Sequence, residues 1–351
     1  MAVSRVGIYK KRRERKYKGM VTIKDVAREA GVAISTVSNV INQVDNVSEE
    51  TKKRVLDAVE KLKYVPNFNA RSLKSNKKNT VGLFLSSIQG DFYQKLVQAV
   101  HLQCKMAGFM LNIYVSNENT GEEIYGMILS SGVEGAIIMN ESLNDDYIER
   151  IARTHMPMVF IDRKQCGEYI SSVTVDNYSG AEMGMEYLIK QGHRRIGYIH
   201  GIESMDDAER FRAYLDVLKK YNLPVEENII LNGFFEEVIA FSEMRQLFFR
   251  GVELPDAFFC ANDEMAWGCI RALATVGISV PEQVSVLGFD NITLAAYYQP
   301  ALTTVGNPVI DLGTKSALEL LRMMRKEGES EGRNVSLEPS LIVRDSCQVK
   351  L

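Results

Sequence analysis

The chain has 351 residues, 46% hydrophobic and 25% charged, with 42 Lys and Arg against 45 Asp and Glu for a formal net charge of −3. That length accommodates a small module beside a large core. With no apolar run of about 18 residues and no apolar N-terminal leader, neither membrane insertion nor export is expected, and the protein reads as cytoplasmic. Cys104, Cys166, Cys260, Cys269 and Cys347 are widely spaced without a CxxC pair, and His101, His155, His193 and His200 are isolated, so reduced thiols and no metal site are expected.

Residues 1–20 form a basic extension whose run IYKKRRERKYK has no helical stripe. It admits two readings, a mis-assigned start ahead of Met20 or a basic arm laid along DNA.

Residues 21–42, VTIKDVAREAGVAISTVSNVIN, encode two short amphipathic helices joined by a glycine turn. Thr22 can cap the first, whose apolar positions Ile23, Val26, Ala27 and Ala30 fall at i, i+3, i+4 and i+7. Gly31 supplies the left-handed residue that ends it. The second turns Val37, Val40 and Ile41 inward and Ile34, Ser35, Ser38 and Asn39 outward, short side chains on one face that suit a major groove. Ser48 then caps a third helix over residues 49–62, with Val55, Leu56, Val59 and Leu62 as its stripe. A three-helix bundle with no DNA role shows similar periodicity. Charge distinguishes the two: residues 1–80 carry 19 Lys and Arg against 8 Asp and Glu, and the remainder 23 against 37, a split that counterion release from DNA phosphates favours.

From Thr80 onward, runs such as VGLFLSS, EGAIIMN, MVFIDR, RIGYIHG, AFFCAND and SVLGFDN alternate with helical segments, which predicts parallel sheets. The strands are too many for one modest sheet, and turn-rich joins at residues 176–179 and 303–308 suit passage between two. The expected fold is a small all-α helix-turn-helix DNA-binding domain plus an α/β core of two doubly wound parallel-sheet lobes joined by crossovers. The expected divisions are a head at 21–66, a hinge at 67–79 and a core at 80–351, its N-lobe about 80–176 and 307–337 and its C-lobe about 177–306 and 338–351. Nothing after SLIVRDS carries a heptad pattern, so a C-terminal coiled coil is not expected.

Ligands of open parallel sheets bind beyond the carboxyl ends of the strands. There the chain places residues 89–93, Asn140, Asp162 with Arg163, Asn262 with Asp263, and Asp290 with Asn291. Carboxylates, amides and arginine beside Phe92 and Tyr93 compose a sugar-like site. Singly, Asp263 reads equally as a helix cap, Asp290 as a turn former, and the two aromatics as core. Glu203, Asp206 and Asp207 disfavour an anionic effector unless Arg163 and Arg210 offset them, so neutral polyols fit better. No phosphate-cradling loop, zinc helix, nucleophile elbow or close acid–base pair is present, and no enzyme or cofactor is expected.

Together these residues resemble the lac repressor family of bacterial transcription regulators, from Met20 to Cys347. The head, the hinge-like YVPNFNARSL, and QGHRRIGYI, ANDEMAWG, VSVLGFDN and LTTVGNP match in order. The resemblance implies a homodimer on a pseudo-palindromic double-stranded operator, a repressor by default, with a core similar to periplasmic sugar-binding proteins. It sets Ile34, Ser35 and Asn39 at base edges and Thr22, Thr36, Ser38 and Asn42 nearby, several at phosphates. Relatives often carry arginine at Asn39, so an adenine contact is implied here. Ala33 replaces the usual serine, which weakens the helix cap by roughly 0.5 to 2 kcal/mol. Ala70, Leu73 and Lys74 match the segment that folds on specific DNA, Leu73 as the minor-groove wedge. Phe92, Tyr93, Arg163, Arg210, Asn262, Asp263 and Asp290, with Phe259 as a stacking ring, are the implied effector residues. A phosphoprotein co-regulator docked on the core is one alternative, and a binding protein or enzyme with an incidental helical head is the other.

Overall fold

The structure, a computed structural model, describes residues 21–41, 46–64, 79–116, 120–325 and 330–350. Contacts divide the chain into two compact units, residues 1–77 and 78–351.

The described head holds α1 (Ile23–Ala30), α2 (Ile34–Ile41) and α3 (Glu49–Leu62). Val26, Ala27, Ala30, Val37, Val40, Val55 and Ala58 make one small core. Gly31, at φ 64°, ends α1 in the left-handed region, where lack of a Cβ removes the steric penalty. Arg54 reaches over from α3 and donates to the last carbonyls of α1, Ala30 O at 2.8 Å and Gly31 O at 3.3 Å. Ser48 caps α3 by accepting from Thr51 N at 3.4 Å. The stripe of α3 departs from expectation at one place: Leu56 is 50% exposed and Ala58 takes the buried position. Val55, Ala58, Val59 and Leu62 are spaced i, i+3, i+4 and i+7, whereas Leu56 is rotated about 100° off that face.

The second unit contains two six-stranded sheets. Its elements are β1 (Thr80–Leu85), α4 (Gly90–Met106), β2 (Met110–Val115), α5 (Gly121–Ser131), β3 (Gly135–Met139), α6 (Asp145–Ala152), β4 (Met158–Ile161), β5 (Ile170–Val175), α7 (Asn177–Lys190), β6 (Ile196–His200), α8 (Met205–Lys220), β7 (Ile230–Asn232), α9 (Glu237–Phe249), β8 (Ala257–Cys260), α10 (Asp263–Thr275), β9 (Ser285–Asp290), β10 (Thr303–Gly306), α11 (Val309–Met324), β11 (Asn334–Leu337) and β12 (Ser340–Ile342). The first sheet runs β11-β5-β4-β3-β1-β2, the second β12-β10-β9-β8-β6-β7. Every pairing is parallel except the antiparallel β12 on β10. The chain therefore crosses between the sheets after β5, after β10 and after β11.

Both faces of the first sheet are covered. Val81, Leu83 and Leu85 face Leu96 and Val100 of α4 and Leu312 and Leu320 of α11. Phe84, Ile138 and Phe160 face Ile124 and Ile128 of α5 and Ile148 and Ile151 of α6. Burial on both faces explains why these strands read as near-continuous apolar runs. In the second lobe α7 pairs with α8 and α9 with α10, closing a core that includes Tyr198, Tyr214, Phe258, Phe259 and Phe289.

The α9–α10 contact depends on Gly268: a Cβ there would lie 2.3 Å from the carbonyl oxygen of Glu237. Gly268→Ala should therefore destabilise the core by about 1–3 kcal/mol, the range for overpacking, in a urea melt followed by circular dichroism. An unchanged midpoint would show that the two helices can separate without loss.

Candidate functional site

In the head, Ile34 and Ser35 at the start of α2 are exposed, and Thr36, Ser38 and Asn39 are half-buried. The Asn39 amide donates to Asn46 Oδ1 at 3.4 Å. Thr22 donates through its backbone N–H and its hydroxyl to the Asp25 carboxylate at 3.0 and 2.7 Å, bonds that lower the Asp25 pKa. Asn42, Ala70, Leu73 and Lys74, the basic extension 1–20 and all of the hinge except Asn79 lie outside the described residues.

In the core, the carboxyl ends of β4 and β9 deliver Asp162 and Asp290, and the first two turns of α8 deliver Asp206 and Arg210. Arg210 is 3% exposed. Its Nε donates to Asn177 Oδ1 at 2.9 Å, its Nη1 to the carbonyl of Ala261, and its plane lies 3.7 Å over the Phe289 ring. Only Nη2 is turned to acids, 3.6 Å from Asp206 and 3.8 Å from Asp290. Both separations exceed a hydrogen bond. The Asp290 carboxylate also accepts from the Asn307 amide at 3.2 Å.

Three carboxylates thus share one guanidinium, and the imbalance appears in the titration of Asp162 and Asp290. Burial pushes Asp162 up to about 7, with the Asp206 charge adding to it and Arg210 opposing. Burial also pushes Asp290 up to about 6 against the pull of Arg210. Asp162 Oδ1 is enclosed and has no hydrogen-bond partner among the described residues. Both residues sit in left-handed backbone, at φ 55° and 107°, followed by Asn291 at 52°, a conformation that aspartate and asparagine tolerate better than other side chains. Tyr93, whose hydroxyl lies 3.2 Å from Ser86 Oγ, is raised by burial and by the charges of Asp206, Asp162 and Asp290, so it borders the same cluster. Phe92 packs edge-on to it, with centroids 5.4 Å apart.

Contacts among the described residues bridge the lobes around this cleft. Asp91 at the start of α4 accepts from Thr293 N and Oγ1 at 2.9 and 3.0 Å. Glu141 accepts from Met205 N, at the start of α8, at 3.2 Å, a favourable place for a carboxylate. Lys164 pairs with Glu209 at 3.0 Å.

Several expected effector residues are committed elsewhere. Phe259 has no exposed surface and packs edge-on against Tyr198 at 5.5 Å, so its faces belong to the core and offer nothing to stack on. Asp263 is fully buried; it accepts from Thr304 Oγ1 at 2.5 Å and Ile292 N at 2.9 Å, bracing α10 against the segments after β9. Its neighbour Asn262 is the cap of α10, accepting from Met265 N at 2.8 Å while donating to Phe235 O at 3.2 Å. Arg163 holds Leu143 O and Asp145, so the offset to the α8 acids comes from Arg210. Asp207 is also structural, bonded to Tyr198, His200 and Gly201. The sequence reading left Asp162, Asp206 and Asn177 out of its effector set. The available signals were the strand-ending position of Asp162 and the four-residue helical spacing between Asp206 and Arg210.

Residues 22–67 match the model of bacterial regulatory proteins of the lacI family, and residues 185–347 match a periplasmic binding protein-like domain. The chain is 33% identical over 334 residues to the HTH-type transcriptional repressor PurR of Actinobacillus pleuropneumoniae serotype 3, covering 94% of this chain and 99% of that protein. Among solved structures it superposes on a lac repressor dimer bound to operator and the anti-inducer ONPF, with TM-score 0.80, 27% identity, and coverage of 94% and 100%. It is also similar to a complex of the transcriptional regulator CelR with cellobiose, with TM-score 0.70, 30% identity, and coverage of 93% and 99%.

The buried acid cluster sets a pH dependence. The Asp162 pKa in the fold, about 7, lies above the reference 3.8. Its protonated form therefore stabilises the fold, fully below about pH 4, and this contribution is lost as pH rises through about 7. Asp162→Asn keeps a neutral group at every pH, so the Tm advantage of the variant over wild type should open between pH 4 and 7 in ligand-free protein. A gap that stays constant across that range in thermal scans would contradict the assignment.

Proposed function

The chain belongs to the lacI family of bacterial regulatory proteins, and on that premise we propose that it is a cytoplasmic transcriptional repressor whose grip on operator DNA is set by a small sugar-like effector held between the core lobes. The observation that carries this reading is the cluster of Asp162, Asp206, Asp290 and Arg210 in a cleft whose two sides are bridged by the Asp91–Thr293 and Glu141–Met205 contacts. Buried acceptors beside a fixed cation suit a ligand that carries several hydroxyl groups, and the partnerless Asp162 oxygen is an acceptor without a donor. Tyr93 and Phe92 supply an aromatic wall.

On the DNA side, Ile34 and Ser35 are open for base-edge contact, Asn39 offers its amide to adenine, and Thr22, Thr36 and Ser38 stand beside them for the backbone. One such head reads one half-site, so a pseudo-palindromic operator calls for two chains. The edge strand β2 and the adjoining α4 expose Leu102, Met106, Met110, Ile113 and Val115, an apolar stretch suited to pairing with a second copy. A ligand that binds one arrangement of the lobes better than another shifts operator affinity, and operator shifts ligand affinity by the same factor.

Thermal unfolding against a panel of sugars, sugar phosphates, nucleosides and amino acids tests the cleft. A ligand at about 100 times its Kd should add roughly 2.7 kcal/mol of stability, and Asp290→Ala should abolish that shift. A response surviving in Asp290→Ala would move the effector elsewhere. For the head, Asn39→Ala should weaken operator binding by about 1–3 kcal/mol in fluorescence anisotropy while leaving affinity for unrelated duplex unchanged. Equal losses on both would remove Asn39 from sequence reading.

A further inference from the structure

Asp206 is the carboxylate around which the charge of the cleft is arranged. It projects from the first turn of α8, 3.6 Å from Arg210, and also takes the hydroxyl of Ser204. Burial is the main cause that raises the pKa values of Asp162, Glu141 and Tyr93 on the opposite lobe and of Asp290 on its own, and the charge of Asp206 adds to each. Without it, Arg210 and Asp290 would form a near-neutral pair; with it, Arg210 Nη2 stands 3.6 Å from one acid and 3.8 Å from another. Arg210 Nε and Nη1 donate to Asn177 and Ala261, and Arg163 is tied to Asp145. An acid in a first helical turn needs no ligand to explain it, since it complements the helix dipole. That role does not require it to stand against Asp162 and Glu141 across the cleft.

We propose that Asp206 sets the charge class of the effector: it makes the cleft reject phosphate esters and other anions and select uncharged molecules rich in hydroxyl donors. This rests on the cleft being the effector site. A phosphate arriving beside Arg210 Nη2 would face Asp206 at close range and Asp162 and Asp290 behind it. Like charges brought together in a binding site cost at least about tenfold in affinity.

The test uses isothermal titration calorimetry on the full-length protein and on Asp206→Asn, with inorganic phosphate as one probe and matched pairs of free sugar and sugar phosphate as the other, at constant ionic strength. Wild type should show no phosphate binding and prefer the free sugar over its ester at least about tenfold. Asp206→Asn should shrink that preference about tenfold or more and acquire millimolar phosphate binding, while Asp206→Glu, which keeps the charge, should retain the rejection. Asp206→Ser stands in should the asparagine variant fail to fold. Equal affinity of wild type for sugar and ester, or an unchanged preference in Asp206→Asn and Asp206→Ser, would overturn the proposal. If no sugar binds wild type, the sugar-like effector reading fails. The phosphate arm still decides the charge gate: phosphate binding gained on removing Asp206 supports it and its absence refutes it.

Discussion

The buried guanidinium of Arg210 is the constraint on which the core's function rests. A cation 3% exposed is tolerable only where hydrogen bonds and opposite charge replace water, and removing partners from such a group costs several kcal/mol. Here each replacement comes from a different element: Asn177 opens α7, Ala261 follows β8, Phe289 and Asp290 close β9, and Asp206 lies one turn earlier on α8. Satisfying the charge therefore fixes the relative placement of four segments at the carboxyl end of the second sheet. The site is a consequence of that fixation: Nη2, the edge not bonded to backbone or amide, is the one turned to the acids.

The topology explains why the opposite lobe meets this edge. In a parallel sheet every strand ends on the same side, so two such sheets joined by three crossovers present two sets of strand ends to one cleft. Asp162 just after β4 and Asp290 as the last residue of β9 are equivalent products of that arrangement, each in left-handed backbone as the chain turns away from its strand. The bridges at Asp91, Glu141 and Lys164 are few and lie around the acids. A handful of polar contacts between two separately packed cores is a junction that a ligand's binding energy can bias, which allostery requires.

Much of this was legible in the chain, for unequal reasons. The head helices follow from apolar spacing and from Gly31, local signals that tertiary contacts only reinforce; Leu56 failed because the apolar residue beside the stripe was larger than Ala58, which lies on it. The sheets were legible because strands buried on two faces leave apolar runs. Arg210, Asp290 and Tyr93 were found by position after strands and by resemblance, and the structure brings them together. Phe259 lies inside β8 next to its end and Asp263 opens the helix that follows, but position along a strand does not reveal which face a side chain takes or whether a neighbouring segment covers it. Arg163 and Arg210 look alike in sequence. One is captured by Asp145 at the start of α6 and the other by Asn177 at the start of α7, a difference that exists only once the chain is folded.

The acids of the cleft carry conformational and ionisation costs, and those costs give a ligand leverage. Backbone in sparsely populated regions costs about 1–3 kcal/mol per residue in general, less where aspartate or asparagine occupies it, and Asp162, Asp290 and Asn291 all carry such conformations. Asp162 and Asp290 are further penalised for ionising, with one oxygen of Asp162 lacking any partner. The packing of the second lobe's core supports these costs, since α7, α8 and α10 are anchored in one cluster with Tyr198, Tyr214, Phe258 and Met265. A ligand that donates to the acids recovers part of the penalty at the moment it joins the lobes, so its binding energy is concentrated in the arrangement where both sets of strand ends reach it. An effector that touched one lobe alone would bind without biasing the junction, and by linkage would leave operator affinity unchanged. On the proposed reading, the distribution of the acids, Asp162 on one lobe and Asp206 and Asp290 on the other, would make occupancy of this cleft a signal rather than mere storage.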